Sequence, residues 1–298
     1  MYNHLIFSHN DLDGLISAAI AAKSLEGKYK VYFSSNVALK SLFFKALSKM
    51  DNYENIYFFD FSIREEILKV SATLFKKVVW IDHHINNNIL NFQNSEIIID
   101  TSSESAAKLV AKYFNFYSDW IDIVNEVDTN NCKSEISMII RDYFSYLRIK
   151  YKNLYNRVLA IKVNKILDTH PKDFINIEEV KSSISEFEKM KQHFIEIIDS
   201  SFEIRDVKNL KIATVEIKEN IPPYIIYDHV KSKNNADMLL IIYRGLRGTK
   251  LEFRSFNDID VQKIAKFFNG GGHKKASGAY LKENLTKSQI LQKIEELL

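Results

Sequence analysis

The sequence predicts an α/β protein in which an N-terminal domain with a parallel sheet is joined by a helical linker to a smaller α/β C-terminal domain. Three observations indicate this class. Strand-like and helix-like patterns alternate five times in the first ~115 residues, helical periodicity alone follows, and new strand-like runs begin near residue 205. We therefore expect an N-terminal domain at 1–177, a linker helix at 178–204 and a second domain at 205–298.

The composition is typical of a soluble globular protein. The chain has 298 residues, of which 46% are hydrophobic, and its formal net charge of +3 is too balanced for a large duplex-DNA footprint. No run of about 18 apolar residues occurs, so we expect no membrane span, and the first residues do not resemble a signal peptide. The single cysteine, Cys132, excludes an intrachain disulfide and fits a reducing, cytoplasmic setting.

Five short runs rich in β-branched or aromatic residues are each followed by a helix-like pattern. This alternation is typical of βαβ units, whose strands lie parallel in one sheet. The predicted strands are 2–8, 28–35, 55–61, 76–81 and 96–100. For the helix after the fifth strand, we expect Ser102 or Ser103 to be the N-terminal cap.

Metal-binding side chains follow three of these strands. The motif HNDLDG (9–14) follows the first strand, Asp60 lies near the end of the third, and the triplet DHH (82–84) follows the fourth. Because sites in open α/β sheets lie outside the carboxyl ends of the strands, one sheet edge can gather these groups. With one acid from a later helix, the candidate ligands are His9, Asp11, Asp13, Asp60, His83 and Asp128.

Each candidate also has an ordinary structural interpretation. Asp11 and Asp13 are suited to a helix N-terminus, where carboxylates cap free amide groups, and Asp60 is suited to cap the next helix. Asp128, near the end of the helical stretch 119–131, is typical of a solvated helix end. The repetition of such residues after three strands favours a metal site.

Carboxylates and imidazoles without a thiolate suit Mn²⁺ or another first-row ion, whereas Mg²⁺ prefers fewer imidazoles and structural Zn²⁺ usually recruits cysteine. We therefore expect Mn²⁺, with Co²⁺, Fe²⁺ or Mg²⁺ as substitutes. Six ligands exceed the need of one catalytic ion and fit two ions about 3.5–4 Å apart. The predicted reaction is hydrolysis of a phosphate ester or anhydride.

The C-terminal part follows a long amphipathic helix predicted at 178–200. Its predicted strands are 211–217, 236–245 and 250–256, the last two as a hairpin, and its predicted helices are 221–230, 259–268 and the chain end. The segment NGGGHKKASGA (269–279) is predicted to be a loop whose glycines let backbone amides approach a ligand. Arg254 can form a two-pronged bond to phosphate. A flexible loop with a solvated basic pair is the alternative.

Four motifs in order, HNDLDG, FFDFS, WIDHHI and Asp128, followed by a distal NGGGHKKASG, resemble the DHH phosphoesterase superfamily with its DHH-associated C-terminal domain. This superfamily includes nanoRNases and RecJ-like nucleases, and the resemblance covers nearly the whole chain. It implies a Rossmann-like catalytic domain and a smaller substrate-binding domain. The spacing His-x-Asp-x-Asp at 9–13 is two residues shorter than in bacterial nanoRNases and looks more like archaeal and RecJ-type members.

The resemblance also implies roles for individual residues. The two metal ions would share Asp60 as the bridge, with the first ion bound by His9 and Asp11 and the second by Asp13, His83 and Asp128. Asp82 would orient the histidines, and His84 would face the scissile phosphate or the attacking water. The residues implied to bind substrate are Arg254, Ser255, Gly271, Gly272 and His273.

The favoured hypothesis is a metal-dependent phosphodiesterase that releases mononucleotides from short single-stranded RNA or DNA. Adenosine 3′,5′-bisphosphate and linear dinucleotides are further expected substrates. The near-neutral charge fits short substrates. The sequence leaves the oligomeric state open, and a homodimer is one alternative.

The sequence leaves three other hypotheses open. An exonuclease for longer single strands in repair or replication needs a basic and aromatic groove, and its best candidate is the tyrosine-rich stretch 143–157. An ordinary amphipathic helix is the simpler interpretation of that stretch. A non-catalytic adaptor is disfavoured by the intact ligand set. A pyrophosphatase ranks lower because the GGGH segment resembles the nucleotide-reading type.

Overall fold

The computed structural model describes residues 3–49, 53–86, 90–233, 235–246 and 248–298; Tyr2, the first residue of the predicted first strand, lies outside them. The chain divides into two compact units, Met1–Ser185 and Glu186–Leu298. The boundary falls inside one long helix, Glu178–Ser201. The three-part division at 177 and 205 stays a prediction.

The N-terminal unit begins with alternating strands and helices and continues with helices. Its elements are β1 (His4–His9), α1 (Leu12–Ser24), β2 (Tyr29–Ser34), α2 (Leu39–Leu47), β3 (Asn55–Phe59), α3 (Glu65–Leu74), β4 (Lys77–Asp82), β5 (Ser95–Ile99), α4 (Ala106–Phe114), α5 (Trp120–Asp128), α6 (Glu135–Tyr151), α7 (Tyr155–Lys162), α8 (Pro171–Phe174) and α9 (Glu178–Ser201), with short 3₁₀ turns at Lys152–Leu154 and Ile166–Asp168.

Within the described residues, the N-terminal sheet has five strands, all parallel, in the order β2-β1-β3-β4-β5. This arrangement confirms the predicted fold class. Strands β1, β3 and β4, which precede the candidate ligands, are therefore neighbours in the centre of the sheet. Their carboxyl ends lie at one edge, as parallel pairing requires.

The central strands are buried on both faces, which explains their continuous apolar sequences. Leu5, Ile6 and Phe7 of β1 are fully buried in succession. On one face, Phe58 and Trp80 stack with ring centroids 4.1 Å apart, in a cluster that includes side chains of α2 and α3. On the other face, α1 packs against α4 and α5. Its buried stretch 12–21 is rich in Ala, Gly and Ser, which lets these helices approach closely.

The C-terminal unit is a mixed sheet with helices. After α9, its elements are β6 (Phe202–Val207), β7 (Leu210–Ile217), α10 (Pro223–Lys233), β8 (Met238–Gly245), β9 (Gly248–Ser255), α11 (Val261–Phe267), β10 (Gly271–Gly272), β11 (Ala276–Leu281) and α12 (Lys287–Leu297). Among described residues the sheet has six strands in the order β10-β11-β9-β8-β7-β6, and only β7 and β8 are parallel.

The predicted hairpin is confirmed, since β8 and β9 pair antiparallel from Met238–Ser255 to Gly245–Gly248. Three of the described strands were not predicted. β6 begins inside the predicted linker, and the segment 269–279, predicted to be a loop, contains β10 and the start of β11. Its glycines and lysines have low strand propensity, so the pairing of β11 with β9 decides its structure. No described helix is long and apolar enough to cross a bilayer.

Candidate metal centre

His9 and Asp11 lie where β1 turns into α1. Asp11 is the N-cap of α1, and its Oδ1 accepts a hydrogen bond from the Gly14 amide at 3.0 Å. The other carboxylate oxygen of Asp11 contacts Nδ1 of His9. A Cβ at position 14 would lie 2.0 Å from the His9 carbonyl oxygen, so this turn requires glycine. The capping interpretation of Asp11 is therefore correct, and it leaves the second oxygen directed at the site.

Asp13 is buried inside α1 and binds the start of another helix. Its two carboxylate oxygens accept hydrogen bonds from the amides of Ala106 and Ala107 at 2.7 and 2.6 Å. Helix α4 thus directs its positive N-terminal end at Asp13. Each oxygen keeps a further lone pair for a cation.

The predicted cap of α4 is wrong. Ser105, whose Oγ accepts from the Lys108 amide at 3.1 Å, begins the helix instead of Ser102 or Ser103. Ser102 donates to Asp100 in a turn that precedes the helix, which delays its start. This turn places the Ser103 carbonyl beside the ring of His83.

Asp60 directly follows β3 with a left-handed backbone, at φ of 61°. Its amide donates to the Ile81 carbonyl at 3.0 Å, and the next residue is held by a bond from Trp80 Nε1 to the Phe61 carbonyl at 2.7 Å. Both carboxylate oxygens are buried and accept no hydrogen bond of good geometry from the described residues. Such an unsatisfied buried carboxylate is costly without a cation.

Asp82 ends β4 and orients one of the two histidines that follow. Its Oδ1 lies 2.7 Å from Nδ1 of His84, and its Oδ2 accepts from Asn86 Nδ2 at 2.9 Å. The Asn86 side-chain oxygen also accepts from the Ile63 amide at 2.5 Å, which ties this turn to the segment after β3. Sequence reasoning missed Asn86, because a lone asparagine after a strand is an ordinary turn residue.

His83 is held differently from the expectation that Asp82 orients both histidines. Its Nδ1 lies 3.3 Å from the Ser103 carbonyl oxygen. Because a carbonyl only accepts, Nδ1 carries the proton and Nε2 faces the acids. Nε2 is 3.4 Å from an oxygen of Asp128 and 3.7 Å from oxygens of Asp13 and Asp60. In the neutral ring of His83, the Nε2 lone pair is therefore directed toward the acids and is available to bind a metal ion.

Among the described residues, three groups of side chains each place their ligand atoms within 4.8 Å of one another. The groups are His9–Asp11–Asp60, Asp13–His83–Asp128 and Asp60–His83–His84. All six ligands predicted from the sequence are therefore brought together, with Asp60 next to both ends of the cluster. The donor set and the unsatisfied oxygens of Asp60 fit divalent cations.

The cluster concentrates negative charge. Burial and then the charges of Asp11 and Asp13 raise the pKa of Asp60 well above its usual value. Burial, followed by the Asp11 charge, raises the pKa of Asp13 to about 7. Partial desolvation and then Asp13 and Asp11 raise the pKa of Asp128. The shared cause is crowding of carboxylates, which bound cations relieve.

Asp128 is the last residue of α5, and its neighbour Glu126 fixes that end. The Glu126 carboxylate accepts from the amides of Lys133 and Ser134, at 2.9 and 3.1 Å, and from the Ser137 hydroxyl at 2.6 Å. The Ser137 bond is the main cause that lowers the pKa of Glu126 to about 2. Glu126 thus joins the end of α5 to the start of α6, a role that sequence reasoning missed.

The substrate-binding residues predicted in the C-terminal unit lie around β9, β10 and β11. Arg254 donates to Glu252 at 2.8 Å, and the buried Ser255 hydroxyl donates to the Asn257 carbonyl at 2.6 Å. A Cβ at Gly271 would meet open space, whereas Gly272 has φ of +131° and is crowded by Ala276. The backbone at Gly271 is therefore exposed to an approaching ligand.

Of the four tyrosines in the stretch 143–157, only Tyr151 is exposed. Tyr143, Tyr146 and Tyr155 are buried. The side chains of Lys162, Lys150 and Arg148 lie over these three rings. The stretch therefore behaves mainly as a packed helical region.

A five-stranded parallel sheet with carboxylates and imidazoles gathered at its carboxyl edge defines the class as an α/β protein with a candidate metal centre. Residues 3–138 match the model described as the DHH family, N-terminal domain, and residues 209–298 match the DHHA1 domain. The two matches together cover most of the chain, and the chain belongs to the DHH family. The resemblance found in the sequence is confirmed.

Two curated relatives are similar to this chain. A bifunctional oligoribonuclease and PAP phosphatase NrnA of Mycoplasma pneumoniae is 25% identical over 239 residues, which cover 73% of this chain and 64% of that protein. The oligoribonuclease NrnB of Bacillus subtilis is 24% identical over 312 aligned residues, which cover 94% of this chain and 73% of that protein. The alignment thus spans less than two thirds of the first relative's length.

Solved structures share the fold. The pGpG-specific phosphodiesterase PggH of Vibrio cholerae has a TM-score of 0.60 at 13% identity, covering 98% of this chain and 99% of that one. RecJ of Thermus thermophilus in complex with Mn²⁺ has a TM-score of 0.60 at 12% identity, covering 99% of this chain and 52% of that one. These likenesses support the fold assignment.

Proposed function

We propose that this protein is a metal-dependent phosphodiesterase that hydrolyses short single-stranded oligonucleotides. Adenosine 3′,5′-bisphosphate (PAP) and linear dinucleotides are proposed as further substrates. The observation that carries this proposal is the convergence of ligands from β1, β3, β4 and α5 around the unsatisfied carboxylate of Asp60. The named activities of the two curated relatives and of PggH concern short nucleotide substrates, which supports the same class.

The proposed cofactors are two Mn²⁺ ions, with Co²⁺ or Mg²⁺ as substitutes. His9 and Asp11 would hold one ion, and Asp13, His83 and Asp128 would hold the other, with Asp60 shared. The grouping of ligand atoms into these triads supports the assignment, as does the Mn²⁺ named in the RecJ structure. Such ions, when bound, supply water activation and neutralise phosphate charge.

The chain contributes its own proton donor at the site. His84 Nδ1 donates to Asp82, and although burial opposes it, the Asp82 carboxylate raises the pKa of His84. The ring therefore favours its protonated form, in which Nε2 also carries a hydrogen. We assign to His84 Nε2 a hydrogen bond to an oxygen of the scissile phosphate. Asp82 and Asn86 hold the ring in place during this contact.

A second binding group is proposed in the C-terminal unit, from Arg254, Ser255, Gly271, Gly272 and His273. The open backbone at Gly271 supports a close approach by phosphate oxygens. Arg254 shares its charge with Glu252, so its contribution is directional hydrogen bonding more than net charge. Ser255 contributes by fixing the local backbone.

The test is a length series. Purified protein with Mn²⁺ is incubated with labelled RNA and DNA of two to about twenty-five nucleotides, and kcat/KM is measured for each length. We expect the highest values for the shortest substrates, with stepwise release of mononucleotides.

The matched control is Asp60→Asn, purified in the same way, which excludes a contaminating nuclease. Values of kcat/KM that rise with substrate length would support an exonuclease for longer strands instead. Absence of turnover on every substrate would contradict the proposal.

A further inference from the structure

Arg148 of α6 is an exposed cation fixed next to the candidate ligands. Its Nη2 donates to the backbone carbonyl of Asn10, the residue between His9 and Asp11. Its guanidinium carbon lies 5.1 Å from the ring centroid of Tyr155. A side chain from a helix 138 positions away in sequence is thus anchored to the turn that carries the first two ligands.

The direct partners of Arg148 are neutral groups, and the Asp11 carboxylate acts on its charge only through space. The Asn10 carbonyl is neutral, and burial is the main cause that raises the pKa of Tyr155 to about 12, so the phenol stays neutral near pH 7. In the part of the chain that the structure describes, no carboxylate lies within ion-pair distance of Arg148. Arg244 and Arg254, by contrast, pair with Glu216 and Glu252.

The anchoring leaves donors for a ligand. A guanidinium has five N–H donors, and the described partners of this one are the Asn10 carbonyl and the side chain of Tyr155, over whose ring it lies. The remaining N–H groups suit the two-pronged recognition of phosphate oxygens. Because stacking already restricts the side chain, little further rotamer freedom is lost on binding.

The platform under Arg148 is itself held in place. The Asn10 side-chain amide donates to Asn156 Oδ1 at 3.0 Å, and Asn156 donates to the Phe33 carbonyl at 2.9 Å. These bonds connect the turn after β1 with α7 and β2. An anion bound by Arg148 would therefore have a fixed position relative to His9 and Asp11.

We propose that Arg148 binds the phosphate adjacent to the scissile one, so that the enzyme favours substrates with two neighbouring phosphates. This inference rests on the proposed function. Single-stranded nucleic acid carries one phosphate per nucleotide, so a trinucleotide brings a second anion beside the one that is cleaved. A diester with a single phosphate lacks this contact.

The experiment compares the Mn²⁺-loaded full chain with two variants, Arg148→Gln and Arg157→Gln. Arg157 is an exposed arginine of α7, so the control removes the same charge by the same substitution. Three substrates are compared: a trinucleotide, the same trinucleotide with a neutral methylphosphonate at one of its two linkages, and bis(p-nitrophenyl) phosphate. The methylphosphonate directs cleavage to the remaining phosphodiester linkage.

For Arg148→Gln we expect KM for the trinucleotide to rise about tenfold or more, since charge-assisted hydrogen bonds to phosphate are strong, with kcat changed less than about twofold. We expect little change with the methylphosphonate substrate or the single-phosphate diester. Arg157→Gln should match the unmodified protein on all three substrates.

An unchanged KM for the trinucleotide would overturn the inference while leaving the proposed function intact. Equal losses on all three substrates would also overturn it, because they would show that Arg148 only positions the turn after β1. If the unmodified protein cleaves no trinucleotide, the proposed function fails. Equilibrium binding of a fluorescein-labelled trinucleotide then still decides: weaker binding by Arg148→Gln than by Arg157→Gln supports the phosphate contact, and equal binding overturns it.

Discussion

At the scale of single residues, Asp60 combines two costs. Its backbone lies in the left-handed region at φ of 61°. This conformation costs free energy for residues with a side chain, although aspartate and asparagine tolerate it better than most. Its carboxylate is buried among other acids without a hydrogen-bond donor of good geometry from the described residues. Such costs cluster at functional sites, where a ligand offsets them.

We predict that Asp60→Asn stabilises the metal-free protein and abolishes its response to Mn²⁺. The amide removes a crowded negative charge and suits the left-handed backbone, so the melting temperature without metal should rise by a few degrees, corresponding to about 1 kcal/mol. Differential scanning calorimetry with and without Mn²⁺ measures both effects. A variant that still gains stability from Mn²⁺ would show that Asp60 is not a shared ligand.

A second prediction concerns Asp82. Asp82→Asn keeps the shape of the side chain but weakens its hold on the protonated His84 ring, so kcat on a dinucleotide should fall about 10- to 100-fold. Mn²⁺ affinity should change much less, because Asp82 is not among the proposed ligands. Steady-state kinetics and titration calorimetry separate these effects, with Asp173→Asn, at an exposed residue of α8, as a surface control. A normal kcat would remove Asp82 from the account.

The convergence of the candidate ligands could be predicted from the sequence, because most of them follow strands of the sheet and belong to a recognisable set of motifs. Their supports could not. The Ser103 carbonyl that fixes the His83 tautomer leaves no side-chain signal, and Glu126 and Asn86 resemble ordinary polar residues. The structural and metal interpretations of Asp11 and Asp13 are compatible, since each carboxylate serves a helix N-terminus and the cluster at once.

At the scale of elements, the connection between α5 and α6 sets the position of Asp128. We predict that Glu126→Ala weakens Mn²⁺ affinity about tenfold, because the end of α5 loses its bonds to the start of α6. Glu135→Ala, which removes an exposed acid from the first turn of α6, is the matched control. Titration calorimetry measures both. Equal affinities for the two variants would contradict a positioning role for Glu126.

The glycine segment supplies a fourth prediction. Gly271→Ala should leave the melting temperature unchanged, since its Cβ meets open space, but should raise KM for a short oligonucleotide by obstructing the backbone approach. Gly272→Ala should lower the melting temperature, because φ of +131° strains any other residue. Calorimetry and kinetics on both variants test this pair. An unchanged KM for Gly271→Ala would argue against substrate contact there.

Elements with strong periodicity could be predicted from the sequence, and those set by pairing could not. The five parallel strands and the β8–β9 hairpin carry dense apolar signals. By contrast, β10 and the beginning of β11 consist of glycines and small residues that become strands by joining β9. The exposed strand β6 likewise depends on its pairing with β7.

At the scale of the whole molecule, the N-terminal unit holds every proposed metal ligand, and the C-terminal unit holds the glycine segment proposed to bind substrate. The order of β1, β3 and β4 in the sheet explains why residues from 9 to 84 meet at one edge. Asp128 joins them from α5, which packs against α1. The proposed function therefore depends on one condition, that these side chains bind two divalent cations together.

Crystals grown with Mn²⁺ and measured at the manganese absorption edge test this claim most directly. We predict two anomalous peaks about 3.5–4 Å apart. One peak should lie against His9 and Asp11, and the other against Asp13, His83 and Asp128, with Asp60 touching both. An anomalous map without a peak among these residues, at saturating Mn²⁺, would contradict the account.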